Sequence, residues 1–282
     1  MSHSAGQKRF HAEWLALSLL ALVTVILLVT RQWSAPLGNV IYDRLVQWHP
    51  PEPSSQIIVV QIDDHTLEQL GGWPLSRAHY ARLLQKLADS GNHPRAIGID
   101  LLFYEPTAQD AELARQLQRH RAYLAAELQP TGQGATLKPP VPTLAAAASA
   151  LAHISLSFDP DGFLRGTQLQ VGDIPHLTVA MSAGTAALPQ PAHTSSYRRF
   201  KLVEPGRGFP SVSLADALSG RLPPGLFKDK YLLIGSTAPS LGDHYPTIYS
   251  GQVHSGLPGV ELHANLLNGI LQNQLVTIAA PA

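Results

Sequence analysis

Four acids and an arginine fall where a parallel sheet would gather them. Asp63 and Asp64 follow the apolar run Ile57–Ile62, Asp100 sits in "AIGIDLLF" at 96–103, and Asp243 comes after "YLLIGS" at 231–236. The carboxyl ends of parallel strands share one edge, which is where open α/β sheets bind ligands. Arg77 starts the helix expected after Ser76 and can reach that edge. Its planar five-donor fork is suited to bridging two carboxylates. Asp63, Arg77, Asp100 and Asp243 are therefore expected to form one cluster, with Asp64, Glu261 and His263 as further contacts. Such a cluster can be a ligand, metal or catalytic pocket. It can also be structural, with an aspartate capping the next helix and the arginine pairing with a neighbouring acid. The structural outcome is the expectation carried forward, because no nucleophile or base partner stands in a recognised frame.

Other chemistry is sparse. No G-x-S-x-G, P-loop, G-x-G-x-x-G or H-E-x-x-H occurs, so no catalytic residue is assigned and no cofactor is expected. The chain has no cysteine, which removes disulfides, thiolate metal sites and thiol nucleophiles together. Of the 13 histidines, His244 and His254 are read as loop residues that could join His263. Glu261 and His263 are two apart on a helix and face away from each other. A metal is left open. Twenty Lys and Arg balance twenty Asp and Glu over 282 residues, which gives no electrostatic footprint for nucleic acid.

The elements that must position these residues alternate. "IIVVQI" (57–62) and the 96–103 run are short, apolar and rich in branched residues, as strands buried on both faces are. Between them Ser76 caps a helix carrying Tyr80, Leu83, Leu84 and Leu87, and Gly91 ends it. Asp110 is expected to cap another helix with Leu113 and Leu117 on one face. "QPTGQGATLKPPVP" (129–142) reads as loop and "TLAAAASALA" (143–152) as a weak helix. "DPDG" (159–162) turns a β-hairpin; it lacks the glutamate that a calcium loop needs at its far end. "SLADALSG" (213–220) is a short helix. "GVELHANLLNGIL" (259–271) is a helix apolar nearly all round, and so buried or at a membrane. In "GGWP" (71–74) the glycines allow a turn, and Trp73 is expected to bury against the sheet. The class is α/β: a mostly parallel sheet flanked by helices, with an added β-hairpin.

"WLALSLLALVTVILLVT", Trp14 to Thr30, carries no charge, Gly or Pro. At about 1.5 Å per residue it just crosses a hydrocarbon core of about 30 Å. Trp14 and Trp33 bracket it as interfacial anchors do. A cleaved signal peptide is the alternative, but its apolar part is usually about 7–15 residues, and "QWSAPLG" is a poor cleavage site. Lys8 and Arg9 on one side and Arg31 and Arg44 on the other leave the positive-inside rule without a vote. A short cytoplasmic N-terminus with a translocated C-terminal region is adopted.

Six segments in order carry a resemblance. They are "YDRL" at 42–45, "VVQIDDHTLEQLGGWPLSR", "AIGIDLLFYEP", "DPDGFLR", "YLLIGSTAPSLGD" and "PGVELHANLLNGIL". Together, from about Asp43 to Leu271, they resemble the second CHASE family, the cyclase/histidine-kinase-associated sensory extracellular domain of type two. The resemblance implies a bacterial receptor ectodomain, held by a membrane helix and followed by further membrane helices. The output would be a histidine kinase, a nucleotide cyclase or a Ser/Thr kinase. The expected organisation is a cytoplasmic N-terminus (1–13), a transmembrane helix (14–30), a membrane-proximal helix and proline-rich linker (31–56) and a periplasmic sensor domain (57–272). The end (273–282) would lead toward further membrane helices. The expected partners are the membrane, an unknown small ligand or envelope signal, and a second copy in a homodimer. The rival reading is a membrane-anchored periplasmic hydrolase that uses the acidic edge.

Overall fold

From Gln7 to Thr30 no Gly or Pro interrupts the chain, and α1 spans His3–Thr30. Within it Phe10–Leu27 is long and apolar enough to cross a membrane, and none of that stretch is buried by protein. α2 (Ala35–Trp48) follows. The computed structural model describes residues 3–30, 35–132, 134–183, 196–220, 222–251 and 256–277. Arg31, Trp33 and His254 lie outside the described residues. The chain divides into two units, the first ending at Trp48 and the second running from His49 to Ile278.

The second unit is built on a parallel sheet. β1 (Ile57–Ile62) leads through α3 (Asp64–Leu70) and α4 (Arg77–Asp89) to β2 (Ala96–Ile99). α5 (Asp110–Leu117), β3 (Ala122–Thr131), β4 (Gly134–Lys138), α6 (Pro142–Ala145) and β5 (Ala150–His153) follow. A smaller β region contains β6 (Ser157–Phe158), β7 (Leu164–Gln168), β8 (Gln170–Val171) and β9 (Ile174–Pro175). Then come α7 (Leu177–Ser182), β10 (Tyr197–Arg199), β11 (Ser211–Ser213), α8 (Leu214–Ser219) and β12 (Tyr231–Ser236). β13 (His244–Tyr245), β14 (Leu257–Pro258) and α9 (Gly259–Leu271) close the unit. The parallel strands run in the order β11-β1-β12-β2-β3-β5, and β4 lies antiparallel on the second half of β3.

Strand alternation divides the core. Ile58, Val60, Ile62, Ile97, Ile99, Leu232 and Ile234 face α4, α5 and α8, whose Leu83, Leu84, Leu113, Leu117 and Leu214 are buried against them. Ile57, Val59, Ala96, Tyr231 and Leu233 face α7 and α9 through Leu177, Met181, Val260, Ala264 and Leu267. The other side of α9, with Leu262, Leu266 and Ile270, packs on Leu164, Phe200 and Leu202 below the sheet β6–β7–β10. Cores on two sides explain why α9 is apolar nearly all round.

Several expectations need correction. The 129–142 segment is not all loop: Glu127–Thr131 pairs with Gly134–Lys138 in a hairpin that extends β3. The alanine-rich 143–152 segment makes only one helical turn before β5, because Ala125 and Ala152 are small enough for strands buried on both faces to pair. The second strand stops at Ile99, so Asp100 lies just past its end. Gln109 is the cap of α5 and Asp110 its first residue. Trp73 is 48 % exposed, because it sits on the turn between α3 and α4 and faces outward. It lines an open hollow with Leu101, Phe103 and Tyr104.

Candidate functional site

Alternation puts Asp100 on the α9 side of the sheet, in phase with Ala96 and Gly98. Its N–H donates to the Ile234 carbonyl at 2.8 Å, which extends the β2–β12 pairing by one residue. Helix α9 lies close above this point because Gly235 has no side chain: a Cβ there would stand 2.7 Å from Cβ of Val260. One turn after Val260, His263 aims Nε2 at Oδ2 of Asp100, 3.6 Å away. The two side chains are 2 % and 5 % exposed. Asp243 approaches from the loop after β12, and Gly259 makes room for its carboxylate at the start of α9. The Gly259 N–H donates to the Asp243 carbonyl at 3.1 Å. Burial first, and the Asp243 carboxylate second, push Asp100 up to about 8. Burial also raises the Tyr245 phenol, as does Asp243, to which its hydroxyl is hydrogen-bonded.

Behind Asp100 runs a row of histidines that the sequence did not announce. His263 lies tilted against His176 with ring centroids 5.0 Å apart, and His176 meets His153 edge-on at 5.0 Å. His153 ends β5, His176 caps α7 and His263 belongs to α9, so three elements each supply one ring to a closed interior. The Nδ1 atom of His176 accepts from the Thr178 N–H at 3.2 Å, which leaves the ring proton on Nε2. That Nε2, both nitrogens of His153 and Nδ1 of His263 are buried without a hydrogen-bond partner. Desolvation keeps the row neutral. It lowers His153 to about 4 and His263 to about 3, and it holds His176 well below its ordinary range. Among the described residues no group of three His, Cys, Asp or Glu is arranged to hold a metal ion. The available signal was positional: each histidine falls at an element end or on the inner stripe of α9.

The expected four-residue cluster is divided by the sheet. Asp100 and Asp243 come together, with His263. Asp63 instead caps α3: its Oδ1 accepts from the Thr66 N–H at 2.8 Å and from the Ser213 hydroxyl at 3.0 Å. Burial pushes Asp63 up, but the Thr66 and Ser213 bonds outweigh it and hold the carboxyl low. Asp64 is exposed and accepts from the Ser240 hydroxyl at 2.9 Å. Arg77 lies in the core on the opposite face, stacked over Phe103 at 5.0 Å. It pairs with Asp110 and donates to the Glu105 carbonyl. The reason is parity: α4 covers the Ile97–Ile99–Leu101 face, whereas Asp100 points through to the other. A second buried arginine, Arg165, binds Asp159 and Asp161 across the 159–162 turn, and Arg199 adds a further contact to Asp159.

Glu261 is where the outward direction of α9 meets a cavity. It faces away from His263, as the spacing required, and lines a cavity of about 350 Å³ with Val203, Phe209, His244, Leu257 and Pro258. Burial raises the Glu261 carboxyl. The Nδ1 atom of His244 is buried without a partner. The cavity adjoins the Asp100–Asp243 pair through two neighbours in sequence, His244 after Asp243 and Pro258 before Gly259.

A family model described as the CHASE2 domain matches residues 19–281, nearly the whole chain. No curated protein and no solved structure gives a significant match.

Proposed function

Because the chain belongs to the CHASE2 domain family, whose members are sensory extracellular domains, we propose that it is the signal-input region of a bacterial membrane receptor. The observation that carries this reading is where the family match begins. Residue 19 lies inside the apolar stretch Phe10–Leu27, so the sensory family pattern and the membrane-length helix share one segment. The helix would stay in the cell membrane, with residues 57–272 on the periplasmic side. Binding there would shift how α9 packs between its two cores, and flanking helices would pass the change to a kinase or nucleotide cyclase. Alkaline phosphatase fused after Val276 tests the topology, since it is active only when exported. An active fusion supports the reading, whereas an inactive one beside an active cytoplasmic reporter at the same point overturns it. In the full reading frame, deletion of 57–272 should change the activity of the output domain; unchanged, signal-independent activity would remove the input role.

A further inference from the structure

We propose that the hollow between the 71–76 turn and the 101–109 segment is a binding site for a small uncharged aromatic compound with one hydrogen-bonding group, such as a phenol, held by Trp73 and the Tyr80 hydroxyl. The hollow has a volume of about 580 Å³, within the range for ligand pockets, about 300–1,000 Å³. It lies past the end of β2, on the edge where the carboxyl ends of the parallel strands open and where such sheets bind ligands. Leu75, Leu101 and Phe103 line it and are buried, so its floor is apolar. Trp73 and Leu102 line it too, yet are 48 % and 43 % exposed. Large apolar side chains left in water beside a formed hollow offer surface for a ligand to cover.

One polar group on the inner wall is unused. Tyr80 lines the hollow from α4 and is only 2 % exposed, its ring edge-on to Phe103 with centroids 5.7 Å apart. Its hydroxyl is not sealed off from water, and it makes no hydrogen bond with a described residue. A tyrosine this deep usually finds a partner, because a withdrawn hydroxyl without one is costly. Burial raises the phenol, so it stays a neutral donor and acceptor. The other polar groups of the lining are engaged or in open water. Thr107 donates to Asp110 at 2.8 Å, and Ser76 accepts from the Ala78 N–H at 3.4 Å as the cap of α4. Glu105 and Gln109 are exposed. Charge then sets the ligand class. Asp110 and the Glu105 carbonyl already take the Arg77 guanidinium, so an anion finds no free counter-charge in the lining. Arg77 also acts electrostatically on the Tyr80 hydroxyl, so a cation brought to that hydroxyl is repelled. A flat uncharged ring laid on Trp73 gains an aromatic pair and covers apolar wall, while its own hydroxyl reaches that of Tyr80.

The inference rests on the receptor reading only in treating the compound as a signal, and its test is separable because binding is measured without any output. The full chain in detergent micelles is titrated calorimetrically with phenol, against a blank of empty micelles. Cyclohexanol, sodium benzoate and benzylammonium chloride are titrated in the same way, as the non-aromatic, anionic and cationic counterparts. Saturable phenol binding with Kd of about 1 mM is expected for a ligand of this size, and the three counterparts should bind about fivefold more weakly or less. Trp73→Ala removes the stacking surface and should weaken phenol by about tenfold. Tyr80→Phe removes only the hydroxyl and should weaken it by about fivefold, the loss of one neutral hydrogen bond. Phe158→Ala removes an aromatic side chain that is 49 % exposed in β6, outside the lining, and should leave phenol affinity unchanged. Unfolding temperatures establish that each variant is folded; if Trp73→Ala is not, Tyr80→Phe decides, since its hydroxyl holds no described residue. Equal binding of any counterpart, unchanged phenol affinity in folded Trp73→Ala or Tyr80→Phe, or no saturable heat above the blank overturns the proposal, while the topology result for the receptor stands on its own.

Discussion

Nε2 of His263 stands 3.6 Å from Oδ2 of Asp100, a spacing that in most interiors would be an ion pair. Here the pair is neutral on both sides. Burial raises Asp100 to about 8 and lowers His263 to about 3, so at neutral pH the carboxyl keeps its proton and the imidazole takes none. Desolvating two charges costs more than their attraction returns unless further hydrogen bonds complete the site. Nδ1 of His263 has no such bond.

Stability should therefore peak near pH 6.5 and fall on both sides. Unfolded histidines titrate at 6.5, whereas those of the row titrate far lower, so unfolding takes up three protons as the pH drops toward about 4. Folded Asp100 holds a proton up to about 8 that the unfolded chain releases above 3.8. Its contribution is fully present below 3.8 and is lost as the pH rises through 8. For the row and Asp100 together the net uptake is two protons in the acid window, so they lower stability by about 2.7 kcal/mol per pH unit there, and His120, also lowered by burial, steepens the limb further. Between 6.5 and 8 one proton is released, and stability falls with rising pH by about 1.4 kcal/mol per unit. Thermal unfolding from pH 4 to 9 checks both limbs. Asp100→Asn should flatten the alkaline limb, and His153→Met should make the acid limb shallower by about 1.4 kcal/mol per pH unit. Variant curves parallel to the parent would show that these groups are not held as described.

Arg77 and Asp243 should act independently. Arg77→Ala leaves Asp110 with only its Thr107 bonds and an empty place beside Phe103, at a cost of about 3–5 kcal/mol. Asp243→Asn alters the other face. The double variant should equal the sum within about 0.5 kcal/mol, as for separated sites. Arg77→Ala with Asp110→Asn should instead be strongly non-additive. Urea denaturation of the parent, the three single variants and the two double variants measures both cycles, and marked coupling between Arg77 and Asp243 would contradict their separation by the sheet.

Much of this fold was legible because it is periodic. The runs 57–62 and 231–236 are strands over those residues, and the stripes of α4 and α9 lie on the cores. Sequence order also placed Asp100 and Asp243 at one sheet edge. It was less informative about which face each side chain takes: the parity that carries Asp100 away from Arg77 follows from Ala96 and Gly98, small residues with little pattern. The helix after Asp63 is only seven residues long, with Thr66 buried and Leu67 and Leu70 packed against the core, so its pattern in the sequence is short. The histidine row was not legible in principle. His153, His176 and His263 are far apart in the chain, and only the packing of α7 and α9 on β5 and β12 brings the rings together.

Trp73→Ala should change stability little, by less than about 1 kcal/mol, because half of the ring is in solvent and truncation opens no closed cavity. A buried tryptophan would cost about 3–5 kcal/mol. The unfolding midpoint distinguishes these values, and a loss in the larger range would mean that the 71–74 turn packs inward.

Gly235→Ala tests how closely α9 must approach the sheet. Gly235 is buried in β12 opposite Gln61, and the added methyl would fall 2.7 Å from Cβ of Val260 and 3.3 Å from Cβ of Asp100. Neither neighbour can swing clear: Val260 is fully buried and branched, and Asp100 is fixed through its N–H to Ile234. The helix must then lift, and overpacking of this kind costs about 1–3 kcal/mol. Lifting α9 also carries His263 away from Asp100 and weakens the mutual desolvation of the row. The pH profile of Gly235→Ala should therefore be shallower as well as lower. Val260→Ala removes the two γ-methyl groups, one of which would lie 2.9 Å from the new Cβ, but it keeps the Cβ itself at 2.7 Å. Only Val260→Gly clears the contact, so Gly235→Ala with Val260→Gly should recover the parent's pH slope while remaining less stable from lost burial. A Gly235→Ala protein with the parent's midpoint and slope would show that α9 does not rest on this strand.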